Sequence, residues 1–261
     1  YRFRGFLPCR GGVVLRFGRG DVRAKAVIGA DGATSDVARA AGIALPPSAF
    51  ISQAKVRSPG WDPSVVHVRF SGDGFFCWII PESEEVGVVG VIGKDSCEAR
   101  EALGSFLRSH GLEPSEYQEA RVPLYHPSLK PLGSVGGARV LLVGDAAGQV
   151  KVTTMGGLVA GFRGAAAAAR SIVKGTSYLR ELGPLRRELD LHWLIRSLLS
   201  STEDGIYDTL IKNITPQVRR VLGRYTRDEL SKLLIHISLS QPRLPILGLK
   251  LSLKSISRWP I

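Results

Sequence analysis

The first candidate for chemistry is an acidic residue that directly follows an apolar strand. Residues 140–143 form a short apolar run, Gly144-Asp145-Ala146-Ala147-Gly148 follows, and Gly156-Gly157 then opens a long alanine-rich helix. A bound dinucleotide needs backbone N–H groups at a helix N-terminus, small residues that let the backbone approach, and a carboxylate for a ribose hydroxyl. The segment supplies all three and predicts a dinucleotide site, although an isolated Gly-Asp pair can also be a plain strand-end turn.

A second acidic residue follows a second predicted strand. The strand at 26–29 leads into Ala30-Asp31-Gly32-Ala33-Thr34-Ser35, and Arg39 lies farther along a helix predicted for 33–41. Two roles are open for Asp31. It either contacts the same cofactor or forms an Asx turn that caps this helix.

Strands and helices alternate around these two motifs. The helical pattern recurs at 96–110 and from Pro184 onward, with breaks near Gly205, Pro216 and Gly223. The period of two predicts a hairpin from strands at 13–17 and 22–28, and an antiparallel sheet from strands at 65–70, 75–80 and 86–92, with a turn at 71–74.

Together the two motifs resemble the fingerprints of the para-hydroxybenzoate hydroxylase-like flavoproteins: a strand ending in Gly-Asp before a Gly-Gly helix start, and an Asp-Gly pair with an Arg downstream. The resemblance implies FAD as the cofactor. It places Asp145 at the ribose and pyrophosphate of FAD, places Gly157 and Leu158 at the isoalloxazine ring, and gives Asp31 a cofactor contact. The same implied cofactor site includes Gly144, Ala146 and Gly156.

The sequence is similar in more detail to the geranylgeranyl reductases, which include archaeal enzymes that saturate the isoprenoid chains of membrane lipids. The likeness lies in 149–151 and 153–154 of the Gly-Asp motif, and in Phe76-Cys77-Trp78-Ile79-Ile80-Pro81, which resembles their substrate-region motif. The chain departs from the family pattern at Ile80 (usually aromatic), Val152 (usually Pro) and Met155 (usually Gly). The resemblance implies reduction of carbon–carbon double bonds in a polyprenyl lipid by reduced flavin, with NAD(P)H or ferredoxin as electron donor.

Phe76 and Trp78 are the residues expected to contact the substrate. They alternate onto one face of the predicted sheet, where the resemblance implies that they wall an apolar tunnel. A core position is the commoner place for a tryptophan. The segment also resembles the Trp-x-Trp-x-Ile-Pro element of flavin-dependent halogenases, so a flavin monooxygenase or halogenase stays open, as does a truncated paralogue that binds lipid without catalysis. No residue stands out as a catalytic acid or base.

The expected fold is mixed α/β with α+β character. It comprises a partial FAD-binding Rossmann-like domain (1–48 and 136–180), an antiparallel β-sheet substrate domain (49–135) and a helical C-terminal region with a basic apolar tail (181–261). The chain begins at Tyr1 and contains no Gly-x-Gly-x-x-Gly segment, the element that binds the ADP half of FAD, so its first βαβ unit is expected to be missing. We therefore expect this fragment alone to bind FAD weakly or not at all and to be inactive.

The net charge of +12 favours an anionic partner. Nucleic acid is not expected, because the basic residues are scattered and no RNA- or DNA-binding motif is present. The tail at 241–261 combines four basic residues, no acid and many apolar ones, which suits contact with an anionic membrane surface or, equally, a final packed element. We expect a cytoplasmic monomer, peripheral on the inner face of the cell membrane, that receives electrons from a reductant protein or NAD(P)H.

Metal binding and membrane spanning are not expected. The three cysteines, Cys9, Cys77 and Cys97, lack CxxC spacing, and the five histidines show no paired spacing. No apolar run reaches the roughly 18 residues that a transmembrane helix needs.

Overall fold

The computed structural model describes residues 2–57, 60–70, 75–200 and 206–248, without the side chains of 199, 200, 206 and 207. The strands are β1 (Phe3–Cys9), β2 (Gly12–Phe17), β3 (Gly20–Ala24), β4 (Ala26–Gly29), β5 (Ser48–Arg57), β6 (His67–Phe70), β7 (Phe76–Pro81), β8 (Val86–Gly93), β9 (Glu113–Pro123), β10 (Leu132–Val135) and β11 (Ala138–Leu142). The helices are α1 (Asp36–Ala40), α2 (Ser96–Ser109), α3 (Leu158–Lys174), α4 (Tyr178–Glu181), α5 (Gly183–Ser200), α6 (Ile206–Lys212), α7 (Pro216–Arg224) and α8 (Leu230–Ser240). A 3₁₀ turn covers Gly144–Ala147.

The contacts divide the chain into two units. The first comprises residues 1–48 and 123–194, and the second comprises 49–122 and 195–261. Residues 123–135 and 181–194 group with the first unit, and the three regions expected from the sequence stay a prediction.

The first unit contains two small sheets. Strands β1, β2 and β3 form an antiparallel meander, and the second sheet has the order β10-β11-β4, with β11 parallel to β4. Alternate residues of β11 face opposite layers: Val140 and Leu142 join a buried cluster with α1, whereas Leu141 joins one formed with α3, α4 and α5. Because Leu142 pairs with Gly29, the carboxyl ends of β4 and β11 lie side by side.

The second unit is built on one five-stranded sheet, in the order β6-β7-β8-β5-β9. Helix α2 covers one face, where Leu103 and Leu107 pack with Val56, Val89 and Val91. This helix begins at a strong cap, since the Asp95 carboxylate accepts the N–H groups of residues 97 and 98. The alternation of β7 places Phe76 and Trp78 on the opposite face.

The mixed α/β class, the antiparallel sheet and the helical C-terminal region are confirmed. Four strands, β1, β5, β9 and β10, were not predicted. Strand β1 contains a glycine and a proline, and nine of the eleven residues of β9 are exposed, so neither shows a clear period of two.

The breaks expected near Pro216 and Gly223 are confirmed, because α7 begins at Pro216 and ends at Arg224, one residue after Gly223. The break near Gly205, the turn at 71–74 and the tail beyond residue 248 lie outside the described residues. Within the residues searched, none of the helices has the length and apolar character needed to cross a membrane.

Candidate functional site

The structure brings the two acidic motifs to one edge of a sheet. Asp31 follows the carboxyl end of β4 and Asp145 follows that of β11, and the two strand ends are joined by a hydrogen bond from Val143 N to Gly29 O of 2.9 Å. In open α/β sheets, ligands bind at the carboxyl ends of parallel strands. The two motifs predicted to contact one cofactor therefore lie at the same edge of the sheet.

The turn at the end of β11 depends on glycine and on a buried amide. Gly144 has a φ of 61°, a left-handed conformation that glycine adopts without steric cost. Its N–H donates to Gln149 Oε1 at 2.7 Å, and Gln149 is only 3% exposed. Gln149 Nε2 donates to the Tyr178 hydroxyl at 3.2 Å, which in turn donates to the Leu142 carbonyl at 2.6 Å. This chain of hydrogen bonds, which we call the Gln149–Tyr178 network, fixes the turn from beneath.

Helix α3 completes the support. The network leaves no room for a side chain at Gly164, because a Cβ there would lie 2.6 Å from Gln149 Nε2 and closer still to the rest of the amide. Burial raises the pKa of the Tyr178 phenol to about 12, so this hydroxyl stays protonated and can donate at physiological pH.

Asp145 is the second residue of this turn. Among the described residues, this carboxylate has no hydrogen-bond or ion-pair partner, and desolvation by burial raises its pKa. Gly157, the N-cap of α3, lies against it, since a Cβ on Gly157 would be 3.0 Å from Asp145 Oδ1. An acceptor without a protein partner, next to a helix N-terminus whose first N–H groups have no intrahelical partner, fits a ribose hydroxyl and a pyrophosphate.

The start of α3 presents apolar side chains to solvent. Leu158 is 73% exposed and Phe162, one turn later, is 67% exposed. The predicted position of Leu158 at the flavin ring is compatible with this surface. Phe162 was missed from the sequence, although an aromatic residue four positions after Leu158 on a helix shares its face.

The loop between the turn and α3 is closed by its own backbone. Lys151 N donates to Gly156 O at 3.0 Å, and Thr154 N donates to Lys151 O at 3.0 Å. Thr153 Oγ1 is 2.6 Å from Nδ1 of His192, a residue of α5 that is 3% exposed. The hydrogen bond between them connects the loop to α5. Met155, which stands where the resemblance implies a glycine, has a φ of 53°, in the left-handed region.

Two predicted residues have evident structural roles. Asp31 accepts the Ser35 hydroxyl at 2.5 Å and the Val37 N–H at 3.0 Å, so both of its oxygens serve the start of α1. Ala146 is fully buried in the cluster beneath the turn. Cofactor contacts by Asp31, Ala146 and Gly156 remain predictions, as do those of Asp145, Gly144, Gly157 and Leu158.

In the second unit, Phe76 and Trp78 share a face with Phe70. The ring centroids are 6.0 Å apart for Phe70 and Phe76 and 5.9 Å for Phe76 and Trp78. Trp78 pairs with Gly90 across β7 and β8, and a Cβ on Gly90 would lie 2.8 Å from the indole Nε1. The indole therefore lies flat over the glycine. Among the residues searched, no group of three or more His, Cys, Asp or Glu side chains could hold a metal ion.

Comparison with known proteins agrees with this arrangement. No protein-family model matches the chain. Digeranylgeranylglycerophospholipid reductase 2 of Methanothermobacter thermautotrophicus is 33% identical over 161 residues, which are 56% of this chain and 40% of the relative. Digeranylgeranylglycerophospholipid reductase 1 of Methanopyrus kandleri is 33% identical over 155 residues, 53% of this chain and 40% of the relative. The match thus spans 40% of the length of these relatives.

Solved structures share the fold. A geranylgeranyl bacteriochlorophyll reductase-like protein of Thermoplasma acidophilum has a TM-score of 0.70 at 21% identity, over 92% of this chain and 66% of that one. A tetracycline destructase reaches 0.54 at 14% identity, over 80% of this chain and 65% of that one. A flavin-dependent brominase reaches 0.52 at 15% identity, over 94% of this chain and 64% of that one.

The chain therefore has the fold of the reductase-like, destructase and brominase structures, with its two acidic motifs at one strand edge. Over about half of its length, the chain is also similar in sequence to digeranylgeranylglycerophospholipid reductases, at 33% identity.

Proposed function

We propose that the protein is an FAD-dependent reductase that saturates carbon–carbon double bonds of geranylgeranyl or other polyprenyl chains in membrane lipid biosynthesis. The observation that supports it most is the Asp145 carboxylate, which has no partner among the described residues and lies against Gly157. This carboxylate follows the strand edge shared with Asp31, in a chain whose relatives are named as such reductases.

The residues of the first unit would hold the cofactor. Asp145 accepts a ribose hydroxyl, the N-terminus of α3 faces the pyrophosphate region and the ring, and Leu158 with Phe162 gives the ring an apolar neighbour. When bound and reduced, FAD would supply hydride to one carbon of the alkene, and a proton would reach the other carbon. The Gln149–Tyr178 network keeps the turn in place, which matters because the fit of a cofactor to its site depends on positions held to a fraction of an ångström.

The residues of the second unit would hold the substrate. An isolated alkene is poorly polarised, so its reduction needs a site that excludes water and fixes the chain. Phe70, Phe76 and Trp78 form a continuous aromatic row on the sheet face opposite α2, and this row is the apolar wall we propose for the polyprenyl chain. Electrons would come from NAD(P)H or a ferredoxin-like reductant, with the protein peripheral on the inner face of the cell membrane.

A direct test uses the complete gene product with its flavin reduced by dithionite in the absence of oxygen. Addition of a geranylgeranyl phospholipid should reoxidise the flavin and add two hydrogens per reduced bond, measured by mass spectrometry. Trp78→Phe should lower kcat/KM for this lipid on the order of tenfold through loss of positioning. Trp61→Phe is a matched control, because Trp61 also lies over a glycine, Gly87, but packs in the cluster under α2. Unchanged lipid mass, in the test tube and in cells lacking the gene, would exclude the reductase.

A flavin-dependent monooxygenase or halogenase is the second candidate, because the destructase and the brominase share the fold. Such an enzyme consumes NADPH in an oxygen-dependent way when its substrate is present. A non-catalytic lipid-binding paralogue would show neither activity, and its gene would lack an in-frame Gly-x-Gly-x-x-Gly segment upstream.

A further inference from the structure

The densest positive charge of the described chain lies on the meander β1–β3. Residues 2–25 hold six arginines and one lysine against the single acid Asp21, so their net charge is +6 out of +12 for the whole chain. All of the basic side chains are exposed; they are Arg2, Arg4, Arg10, Arg16, Arg19, Arg23 and Lys25.

The meander has an inner and an outer face. Phe3, Phe6 and Leu15 pack inward against the buried cluster of the first unit. Across the three strands, Gly5 of β1 lies beside Arg16 of β2, which lies beside Asp21 of β3. In the same way, Leu7 lies beside Val14, which lies beside Arg23. Both rows lie on the outer face. Both hairpin turns add a further arginine, at positions 10 and 19. The outer face therefore mixes cationic side chains with the apolar Leu7 and Val14.

Within the described part of the chain, most of the charge on this surface has no neutralising partner. Among the described residues, none of the six arginines forms an ion pair with a carboxylate, whereas Arg170 pairs with Glu181 at 2.9 Å and Lys55 with Glu82 at 3.1 Å elsewhere. At the edge of the meander, Arg2 and Arg4 line an open cleft of about 670 Å³, whose other charged residues, Asp36 and Arg39, pair with each other. Such an excess of like charge costs self-repulsion, which an anionic partner would relieve.

We propose that the outer face of the meander β1–β3 binds the anionic headgroups of a phospholipid bilayer. The proposal rests on the proposed function, in which the substrate is a membrane lipid. Arginine binds phosphate in a bidentate manner, and apolar side chains between arginines suit insertion at the headgroup boundary. Single-stranded nucleic acid fits less well, because the outward residues of the three strands include no aromatic side chain for base stacking.

Vesicle sedimentation of the complete gene product tests the proposal. Vesicles of phosphatidylglycerol and phosphatidylcholine in equal parts should bind the protein, pure phosphatidylcholine vesicles should not, and added salt should weaken binding. Each arginine near an anionic surface contributes about a fivefold gain in partitioning, so Arg16→Gln with Arg23→Gln should lower it roughly 30-fold. The control Arg219→Gln with Arg220→Gln removes the same charge from exposed positions on α7 and should leave binding within about twofold.

Three results would overturn the proposal: the meander variant binds anionic vesicles like the parent protein, the α7 control loses as much, or binding is lost only when residues 249–261 are deleted. Retention of a single-stranded DNA that requires Arg16 and Arg23, without an effect on vesicles, would also contradict it. Vesicle binding needs neither flavin nor reductant. If the protein binds vesicles but does not reduce the lipid, only the proposed reductase activity is contradicted. If it reduces detergent-dispersed lipid but does not bind vesicles, only the proposed membrane-binding surface is contradicted.

Discussion

Replacement of Gly164 by alanine should destabilise the protein, although the same change in an ordinary helix does the opposite. In an exposed helix interior, alanine is favoured over glycine by about 1 kcal/mol. At Gly164 the new Cβ would overlap the amide of Gln149, and the side chain of Gln149 would have to leave its place. The Gly144 N–H would then lose its acceptor at 2.7 Å, and the Tyr178 hydroxyl its donor at 3.2 Å.

The two effects can be weighed. A buried polar group left without its partner costs roughly 1–3 kcal/mol, and two such groups outweigh the gain in helix propensity of about 1 kcal/mol, so the net loss in unfolding free energy should be about 1–5 kcal/mol. Urea denaturation would measure it. The control is Gly104→Ala in α2, where the new Cβ would meet only the flexible end of Arg108 at 3.3 Å. That change should be neutral or raise stability by up to about 1 kcal/mol.

A double-mutant cycle tests whether the steric clash between the Cβ at position 164 and the Gln149 amide causes the loss of stability. In a Gln149→Ala background, the amide that collides with the new Cβ is absent, so Gly164→Ala should cost little. The reasoning would be refuted if Gly164→Ala left stability unchanged in the parent protein, or cost as much without Gln149 as with it.

Three further predictions concern the same turn and its loop. Tyr178→Phe should lower the unfolding free energy by about 1–3 kcal/mol in urea, because the Leu142 carbonyl and the Gln149 amide each lose a partner; an unchanged midpoint would contradict this. Asp145→Ala in the complete gene product should weaken FAD binding about 10- to 100-fold in a fluorescence titration, as expected for the loss of a charge-assisted hydrogen bond. Without FAD, Asp145→Ala should not lower the unfolding free energy, because burial raises the carboxyl pKa and the charged carboxylate therefore destabilises the native state at neutral pH. This destabilisation should disappear as the pH falls below 3.8, the ordinary pKa of the carboxyl in the unfolded chain. Met155→Gly should raise the thermal midpoint by relieving about 1 kcal/mol of strain at the left-handed residue, and a fall would show that its side chain has a compensating contact.

The meeting of Asp31 and Asp145 could be predicted from the sequence for a physical reason. Each acidic residue follows a short apolar strand, and parallel strands end at the same edge of a sheet. The pairing of Leu142 with Gly29 then brings the two motifs together. Helix α2 was equally predictable, since its cap, its apolar spacing and Gly111 after its end are all local signals.

The support of the site was not predictable in the same way. Gln149 and Tyr178 are 29 positions apart, and no local sequence pattern indicates that their side chains are in contact. The local signal was Gly164, a glycine beside a run of alanines in a helix, which often marks a close approach by another group. Likewise, the placement of Trp78 over Gly90 depends on the register of β7 and β8, which emerges only when the sheet forms.

The turn combines a stabilising network with a destabilising acid, and this division separates structural from functional roles. The Gln149–Tyr178 network satisfies buried polar groups and so contributes to stability, whereas the Asp145 carboxylate is partly desolvated without a partner among the described residues and costs stability. Proteins retain such a cost where a ligand supplies the missing partner. Variants of Gln149, Tyr178 or Gly164 should therefore lower stability and FAD affinity together, while variants of Asp145 should lower affinity alone. If all four positions behaved alike, Asp145 would be one more structural residue and the case for it as the ribose contact would fail.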